Sequence, residues 1–542
     1  MTRLRSRGWW ASFGAASPLR SASIILALAF LALHLPFLPA SLEDLDSINF
    51  ALGVRHFDVA QHQPHPPGYP LFIALAKIAR VAVRSEVTAL SLVSVVAGSL
   101  SVFALVALFR RIAEIATLMP TRGGHVGEES GYVEGFPLIA ALLVGTAPLY
   151  WFTAVRPLSD MPGLAAAVAV QGLILSAAGT AGLAIAAFLA AFAAGLRSQV
   201  LWLTVPLLVV AMWRSRHRGL VVGAILLAFV AGILAWAVSL VALAGGPAAY
   251  WRALFTQGAE DLTGVPMLWT TRTPRQLLIA LNSAVVAPWA VPWVAAVVLV
   301  LATVGAVRLY RASRPAFTTL VVAFGPYFVF DLLFQESVTT RYALPLVVPI
   351  AFLAAYGLLI AGRLPAVALA ICLAAFAAHL GGLSIASYAS EPAPAFRLLA
   401  DMRESAASAR PDLPVLAMHR REDLDLRRPI VWEGASMARF TARLSAPPKH
   451  EWLELVKYWN GGGRRAVWFV ADPLRTDLAL VDHRDARLVR YRWPFEYHAL
   501  VGGVRPDVID WYRVRDPAWY LGEGWALTTE TAGLAEEDGR GP

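Results

Sequence analysis

The sequence predicts a polytopic α-helical membrane protein with a small C-terminal domain, and three observations support this fold class. Of the 542 residues, 58% are hydrophobic and only 15% are charged, and the mean hydropathy is +0.59. Soluble domains usually carry about a quarter charged residues, so this composition excludes a purely soluble enzyme. Apolar runs of the roughly 20 residues that a membrane-spanning helix needs recur along the chain. The charge is also uneven, because residues 391–542 are nearly one third charged and residues 1–390 only about one tenth.

The apolar runs predict about eleven membrane spans. The candidate spans are 21–40, 87–109, 136–155, 157–178, 180–196, 199–213, 219–244, 277–307, 316–334, 342–361 and 365–384. The stretch 180–213 is also compatible with one long helix, and 277–307 is long enough to include an amphipathic lead-in. The first run carries no small-residue cleavage site, so we interpret it as a retained span rather than a removed signal peptide.

The distribution of arginine predicts the orientation. With the N-terminus in the cytoplasm, the inside loops hold 14 basic and 4 acidic residues, against 10 and 10 in the rest of 1–390. Because cytoplasmic loops carry an excess of Lys and Arg, we expect a multi-pass protein of the cell (cytoplasmic) membrane with its N-terminus inside. An odd number of spans then places the C-terminal domain outside. The net charge of +9 is therefore explained by the orientation of the protein in the membrane. Membrane lipids are expected partners, and no nucleic-acid partner is expected.

The chain divides into a membrane domain, residues 1–390, and a soluble extracytoplasmic domain, residues 391–542. In the tail, Val415–Met418 and Ala466–Val470 have the pattern of short strands, and 395–409 and 450–459 that of helices. A small α/β or α+β fold is expected there. The single cysteine, Cys372, excludes a disulfide framework and a cysteine metal site.

The first outer loop, residues 41–86, carries the most chemistry. Glu43, Asp44 and Asp46 fall within four residues just after the first span. Close like charges disfavour joint ionisation unless a cation compensates, so the cluster suits a general base or a metal site. The alternative is a solvated helix start, with Ser41 as the N-cap and acidic residues in the first turn.

Four prolines fall within the seven residues Pro64–Pro70 of the same loop. Proline fixes its own backbone and restricts the residue before it, so this run predicts a stiff path. It leads into an amphipathic helix at 70–83 that suits the membrane surface. His62 and His65 are candidate metal ligands, and the alternative is that histidines beside proline form a hydrogen-bonding scaffold.

These motifs resemble the GT-C superfamily of membrane glycosyltransferases. The residues that carry the resemblance are the acids after the first span, Phe50–Leu52, His65–Leu71, Arg156–Asp160, Gly195–Gln199 and Arg341–Pro345. Within the superfamily the sequence is most similar to the dolichyl-phosphate-mannose–protein mannosyltransferase and aminoarabinose transferase-like proteins. The resemblance covers about 1–384, and the tail matches no domain. The family places an Asp-Glu pair at the start of the loop; here Asp46 takes the Asp position and Ser47 the Glu position.

The resemblance implies transfer of a sugar from a polyprenyl-phosphate donor to a glycan, lipid or protein acceptor on the outer face. Asp46 is then the candidate general base, and Asp44 or Glu43 takes the place of the missing acid. The candidate substrate-binding residues are Arg341, Tyr342, Arg197, Arg156, Asp160, His65 and Tyr69. The cofactor stays open, with a divalent metal ion as the candidate and Glu43, Asp44, His62 and His65 as its candidate ligands.

Two other function classes remain open at this stage. A transporter or flippase of lipid-linked glycans needs ionisable residues near the bilayer midplane, whereas most charges here gather at the outer ends of spans. A non-catalytic membrane-anchored binding protein would tolerate change in the acid cluster. The arginines also have a plain alternative as snorkelling anchors. Asp160 is then a partner for Arg156, and Asp331 in the ninth span is expected to pair with Arg341.

Overall fold

A computed structural model describes residues 18–43, 45–117, 130–215, 218–257, 265–390 and 392–393, together with four strands in the tail. The chain forms two units. The membrane unit contains the described residues up to 39 and from 53 to 389, and the second unit contains 40–52 and the tail strands.

The described part of the chain is mainly helical. Its α-helices are α1 (Pro18–His34), α2 (Leu45–Arg55), α3 (Pro70–Ala82), α4 (Glu86–Thr117), α5 (Ser130–Thr146), α6 (Pro148–Thr153), α7 (Asp160–Ser176), α8 (Gly179–Ala193), α9 (Val200–Arg214), α10 (Arg218–Leu243), α11 (Pro247–Arg252), α12 (Pro274–Leu281), α13 (Pro292–Ala312), α14 (Arg314–Phe334), α15 (Leu344–Leu358) and α16 (Arg363–Ser390). Short 3₁₀ turns extend α1 to Phe37 and precede α15 at Thr340–Ala343, and a π-helical turn follows α12 at Asn282–Val286.

Seven helical stretches of the described residues are apolar and long enough to cross a membrane. They are Pro18–Phe37, Glu86–Ala116, Gly219–Leu243, Pro292–Ala312, Arg314–Phe334, Thr340–Ala361 and Arg363–Ser390. Four shorter apolar helices accompany them, namely Gly135–Thr146, Asp160–Ser176, Gly179–Ala193 and Val200–Arg214. The seven long and four short helices make eleven, each at the position of a predicted span. The chain is a multi-pass α-helical membrane protein, as the sequence predicts.

Proline explains where the helices depart from the predicted bounds. The span predicted at 277–307 begins only at Pro292, because the π-helical turn and Pro288 interrupt the backbone hydrogen bonding before it. The span predicted at 136–155 ends at Thr146, and a separate helix starts at Pro148. The helix predicted at 70–83 is present as α3, Pro70–Ala82.

The stretch 180–213 forms two helices rather than one. Helix α8 ends at Ala193 and α9 begins at Val200, so residues 194–199 form a turn between them. This break matters for the site, because it frees Arg197 from a helical surface and lets its side chain turn inward.

The tail strands form a four-stranded sheet with strand order β1-β2-β4-β3. They are β1 (Val415–Met418), β2 (Val467–Ala471), β3 (Leu488–Arg492) and β4 (Asp510–Val514). β1 pairs with β2 in parallel, and β4 pairs antiparallel with both β2 and β3. The strand predicted at Val415–Met418 has these bounds, and that predicted at Ala466–Val470 lies one residue later. The helices predicted at 395–409 and 450–459 lie outside the described residues.

A glycine contact sets the crossing of α13 and α15 in the membrane unit. A Cβ atom on Gly305 would lie 1.9 Å from the carbonyl oxygen of Leu353, and one on Gly357 would lie 2.1 Å from that of Leu301. Both atoms belong to rigid helix backbone. The two helices therefore approach as closely as small residues allow, which is a common means of association inside a membrane.

We predict that Gly305→Ala and Gly357→Ala each lower the thermal unfolding midpoint of the protein in detergent. The added methyl group cannot fit without separating the helices, and overpacking of this kind costs about 1–3 kcal/mol or more. Gly223→Ala is the matched control, since a Cβ there meets nothing within 4 Å. Equal midpoints for all three variants would show that the close crossing does not limit stability.

Candidate active site

The segment Arg156–Asp160 forms the turn between α6 and α7 and is completely enclosed by protein. Arg156 is fully buried, and its guanidinium carbon lies 5.7 Å from the ring centroid of Phe152. Asp160 is only 5% exposed and is the first residue of α7. A carboxylate at that position is favoured by the helix dipole, which helps to hold a negative charge in an apolar surrounding.

Asp160 pairs with Arg197, which comes from the turn between α8 and α9. The Asp160 Oδ1 atom lies 3.1 Å from Arg197 Nη2, and Arg197 Nη1 donates a 3.0 Å hydrogen bond to the Ser159 hydroxyl. The two side chains of the pair are 4% and 10% exposed. The pair thus joins two turns that are almost forty residues apart in sequence.

Two glycines make room for this pair and for the first outer loop beside it. A Cβ on Gly163, one turn after Asp160, would lie 2.9 Å from the Cβ of Arg197. A Cβ on Gly195 would lie 2.9 Å from the side chain of Leu71, whose backbone N–H donates to the Gly195 carbonyl over 3.0 Å. The start of α3 is therefore fixed directly against the turn that carries Arg197.

A second guanidinium, that of Arg341, also lies near the ring of Tyr342. The guanidinium carbons lie 5.0 Å (Arg341) and 5.8 Å (Arg197) from the Tyr342 ring centroid, and Arg341 Nη2 donates to the Tyr342 hydroxyl over 3.2 Å. The Tyr327 hydroxyl donates to the Tyr342 backbone carbonyl over 2.7 Å, which fixes the turn before α15. Arg341 is 7% exposed, so both cations are withdrawn from solvent.

The electrostatics of Arg197 show which groups surround it. Burial is the largest effect and lowers the pKa of Arg197, but the Asp160 carboxylate, Tyr69 and Tyr327 together outweigh it and raise that pKa above its ordinary value. Arg341 opposes them. Arg197 therefore remains a cation, and four residues from separate parts of the chain act on it.

A small cavity lies beside the pair, with room for about one water molecule. Its polar wall is formed by Asp160, Arg197, Gln199 and Tyr327, and leucine and valine side chains form the opposite wall. Asp160 Oδ2 and Gln199 Oε1 are buried acceptor atoms without a hydrogen-bond partner among the described residues. Buried polar atoms are normally paired, so this cavity suits a ligand that donates hydrogen bonds.

The proline-rich run brings Tyr69 and His65 to the same side of the membrane unit. Their rings lie 5.1 Å apart in an edge-to-face arrangement, and Tyr69 is 9% exposed. The Tyr250 hydroxyl of α11 donates to the Pro67 carbonyl over 3.0 Å. The stiff run predicted here is thus held at two points, by the Tyr250 hydroxyl at Pro67 and by the Gly195 carbonyl at Leu71.

The described acids of the cluster, Glu43 and Asp46, belong to the second unit. Asp46 lies in the first turn of α2, and Glu43 is 1% exposed with its backbone N–H donating to the Ser47 hydroxyl over 3.0 Å. Ser41 does not cap α2, which begins at Leu45, and Glu43 is buried, so this part of the alternative of a solvated helix start is wrong. Asp46 does lie half-buried in the first turn, as that alternative expects. Asp44 lies outside the described residues.

The described residues contain no group of three or more His, Cys, Asp or Glu side chains placed to hold a metal ion. His62 is 5% exposed, and His65 is half-buried against Tyr69. Glu43, His62 and His65 therefore do not form such a group.

The structure corrects two pairings and adds two residues that the sequence did not single out. Asp160 pairs with Arg197 rather than with Arg156. Asp331 forms no ion pair with Arg341 or with any other described residue, so that expected pair is wrong. Tyr327 and Gln199 join the site; the only sequence signal for Tyr327 is its position one helical turn before Asp331.

Residues 59–221, which include Tyr69, Arg156, Asp160 and Arg197, match the family model of the protein O-mannosyl-transferase TMEM260 N-terminal domain. This stretch is similar to a protein O-mannosyl-transferase. For this stretch, the predicted resemblance to protein mannosyltransferases is thereby confirmed. The mannosyltransferase-like stretch begins inside the first outer loop and ends just after the start of α10.

Two solved structures are distantly similar. ArnT from Cupriavidus metallidurans bound to undecaprenyl phosphate has 14% identity and a TM-score of 0.44, over 92% of this chain and 98% of that chain. ArnT from Cupriavidus metallidurans in the apo state has 14% identity and a TM-score of 0.41, over 96% and 100%. No curated protein matches the chain.

We predict that Asp160→Asn strongly destabilises the protein, because it leaves Arg197 buried without its counter-charge. Removing one partner of a buried pair costs about 3–5 kcal/mol. The measurement is the thermal unfolding midpoint of the purified protein in detergent.

The matched control is Glu114→Gln, which breaks the more exposed ion pair with Arg111 on α4. An exposed pair contributes only about 0–1 kcal/mol. If the two variants lose the same stability, the buried pair is not the stronger constraint.

Proposed function

We propose that this protein is a membrane glycosyltransferase that moves a sugar from a polyprenyl-phosphate donor to a hydroxyl acceptor. The observation that carries the proposal is the buried cavity beside the Asp160–Arg197 pair, with the second guanidinium of Arg341 near Tyr342. Mannose is the first sugar to test, because the matching family is described as protein O-mannosyl-transferase.

The two guanidiniums support binding of the lipid phosphate. Arginine binds phosphate oxygens as a planar, permanently charged fork. Asp160 neutralises much of the charge on Arg197, so we assign Arg197 to the support of Tyr342 and the cavity wall. Arg341, which is 7% exposed and contacts the Tyr342 ring, is the candidate contact to the phosphate.

We place the sugar and the first part of the lipid at this cavity, which must widen to admit them because it has room for only about one water molecule. Sugar hydroxyls are donors that would satisfy Asp160 Oδ2 and Gln199 Oε1, the two buried acceptors left without partners there. The leucine and valine side chains of the other wall suit an isoprenoid chain. A mostly apolar cleft with a few polar groups is typical of a small-ligand site.

Asp46 is the proposed general base. The acceptor hydroxyl gives its proton to the Asp46 carboxylate while its oxygen forms a bond to the anomeric carbon. The bond from that carbon to the phosphate oxygen breaks, and the lipid phosphate leaves with the electron pair, so the configuration inverts. Fixed cations favour this departure because they stabilise the negative charge that develops on the phosphate. Arg341 supplies that charge in the proposal.

The outer-face location of the reaction, the cytoplasmic N-terminus and the extracytoplasmic tail belong to the same proposal. They are supported by the excess of arginine in the predicted inside loops. The acceptor is left as a hydroxyl of a glycan, a lipid or a protein.

We predict that Asp46→Asn lowers the rate of sugar transfer from polyprenyl-phosphate mannose by about 10²–10⁴-fold, the usual contribution of a positioned base. Donor affinity should be unchanged, since the amide keeps the shape of the side chain and loses only its basicity. The control is Asp58→Asn in the same outer loop, where Asp58 only caps a 3₁₀ turn by accepting from the Ala60 N–H. Full activity of the Asp46 variant would remove Asp46 from the mechanism.

We predict that Arg341→Ala raises the Kd for the donor about tenfold or more, because a hydrogen bond to a charged group contributes about 1.5–3 kcal/mol. Arg341→Lys should recover part of the affinity through its charge. Arg311→Ala removes the same charge from the exposed end of α13 and should leave the affinity unchanged.

The measurement is binding of the intact lipid-phosphate donor to the purified protein, with the unfolding midpoint recorded for each variant. An Arg341→Ala protein that is folded and binds the donor like the wild type contradicts the assignment.

A further inference from the structure

A second cavity lies at the end of α14, apart from the one beside Arg197. It is small, with room for about one water molecule, and lies where the end of α14, the turn that follows it and the π-helical turn after α12 meet. Its polar wall is formed by Ser283, Asp331, Glu336, Ser337 and Thr339, and the remaining lining residues are alanines. All of these residues belong to the membrane unit.

Two buried side chains, those of Asp331 and Ser337, present oxygen atoms to this cavity without a hydrogen-bond partner among the described residues. Asp331 is 8% exposed, and its carboxylate forms no hydrogen bond or ion pair with any residue that the structure describes. Ser337 is 4% exposed, and its Oγ atom has no hydrogen-bond partner in the described part of the chain. Burying a polar oxygen atom without a hydrogen-bond partner costs free energy. A ligand that both oxygens bind would therefore be strongly favoured.

The third candidate ligand, the Glu336 carboxylate, is already held in position. The Thr339 hydroxyl donates to Glu336 Oε2, which holds this carboxylate at the wall of the cavity. Within the described residues no Lys, Arg or His forms an ion pair with Glu336 or with Asp331. Two carboxylates in one small cavity without a basic partner carry a charge that a cation would compensate.

We propose that this cavity binds a divalent cation of the Mg²⁺ and Mn²⁺ class, with Asp331, Glu336 and Ser337 as its protein ligands. The donor set contains only oxygen, which hard divalent cations prefer. Mg²⁺ is typically held by one or two carboxylates, and the cavity has room for a body of about the size of one water molecule, which suits a single ion. The site is separate from the acids and histidines of the first outer loop and does not depend on the proposed transfer activity.

The position of the cation gives it a consequence for the neighbouring site. Ser337 N–H donates to the Pro266 carbonyl over 3.0 Å, and Thr339 lies two residues before Arg341. A cation bound by the end of α14 and by the turn after it would fix that turn, and with it the start of the 3₁₀ segment that carries Arg341. The ligands are therefore positioning residues for Arg341.

The test uses the full-length protein in detergent, stripped of metal with a chelator and then titrated with Mn²⁺. The loss of the electron paramagnetic resonance signal of free Mn²⁺ gives the bound fraction, and Mg²⁺ is added as a competitor. We expect one Mn²⁺ site per chain that Mg²⁺ displaces, and a rise in the unfolding midpoint when the metal binds. The Asp331→Asn and Glu336→Gln variants should weaken binding at least roughly tenfold, the lower end of what losing even an outer partner of a metal site costs.

Ser337→Ala is the gentler variant, kept in case a carboxylate variant does not fold, and it should weaken binding while keeping the charge. The matched control is Glu114→Gln, which removes one negative charge on α4 and should bind Mn²⁺ like the wild type. The proposal is overturned if the wild type binds no Mn²⁺ or if its midpoint does not respond to the metal. It is also overturned if Glu43→Gln abolishes binding while the Asp331, Glu336 and Ser337 variants keep it.

Discussion

The buried ion pair between Asp160 and Arg197 is the constraint on which the rest of the candidate site depends. Taking two charges out of water is costly, and only good geometry and further hydrogen bonds offset that cost. Here Ser159 supplies the additional acceptor, and the start of α7 supplies a favourable dipole. Because the pair joins the α6–α7 turn to the α8–α9 turn, any ligand in the cavity beside it meets a wall whose shape is already fixed.

The segments that are attached to this pair are far apart in the chain. The N–H of Leu71 donates to Gly195, so the first outer loop is anchored two residues from Arg197. The Tyr327 hydroxyl holds the carbonyl of Tyr342, whose ring lies near two guanidiniums. Preorganisation of this kind is valuable in a transferase, since groups already in position cost no further ordering when the charge on the leaving phosphate develops.

The sequence predicted the class and the positions of the apolar helices because length and apolarity alone decide them, as for α10 or α16. It also singled out Arg197, Arg341 and Tyr69, whose charge or proline context is visible in the sequence. It failed where the partner is set by folding. Arg156 and Asp160 are neighbours in sequence, but the polypeptide turns between them, and Asp160 meets an arginine from another helix pair. Tyr327 lies inside an apolar span, where one hydroxyl leaves almost no signal.

Asp331 shows how a wrong pairing can be the more informative outcome. Arg341 lies close by in sequence, and an ionisable residue near a span usually has a partner. Arg341 instead turns toward Tyr342, and Asp331 faces a separate cavity with Glu336 and Ser337. The short turn after α14 thus separates an arginine at its far end from two carboxylates at its near end. If the two groups neutralised each other, neither a phosphate nor a cation would be attracted there. Keeping them apart leaves Asp331 and Glu336 without a basic partner among the described residues, so that their charge can attract a cation.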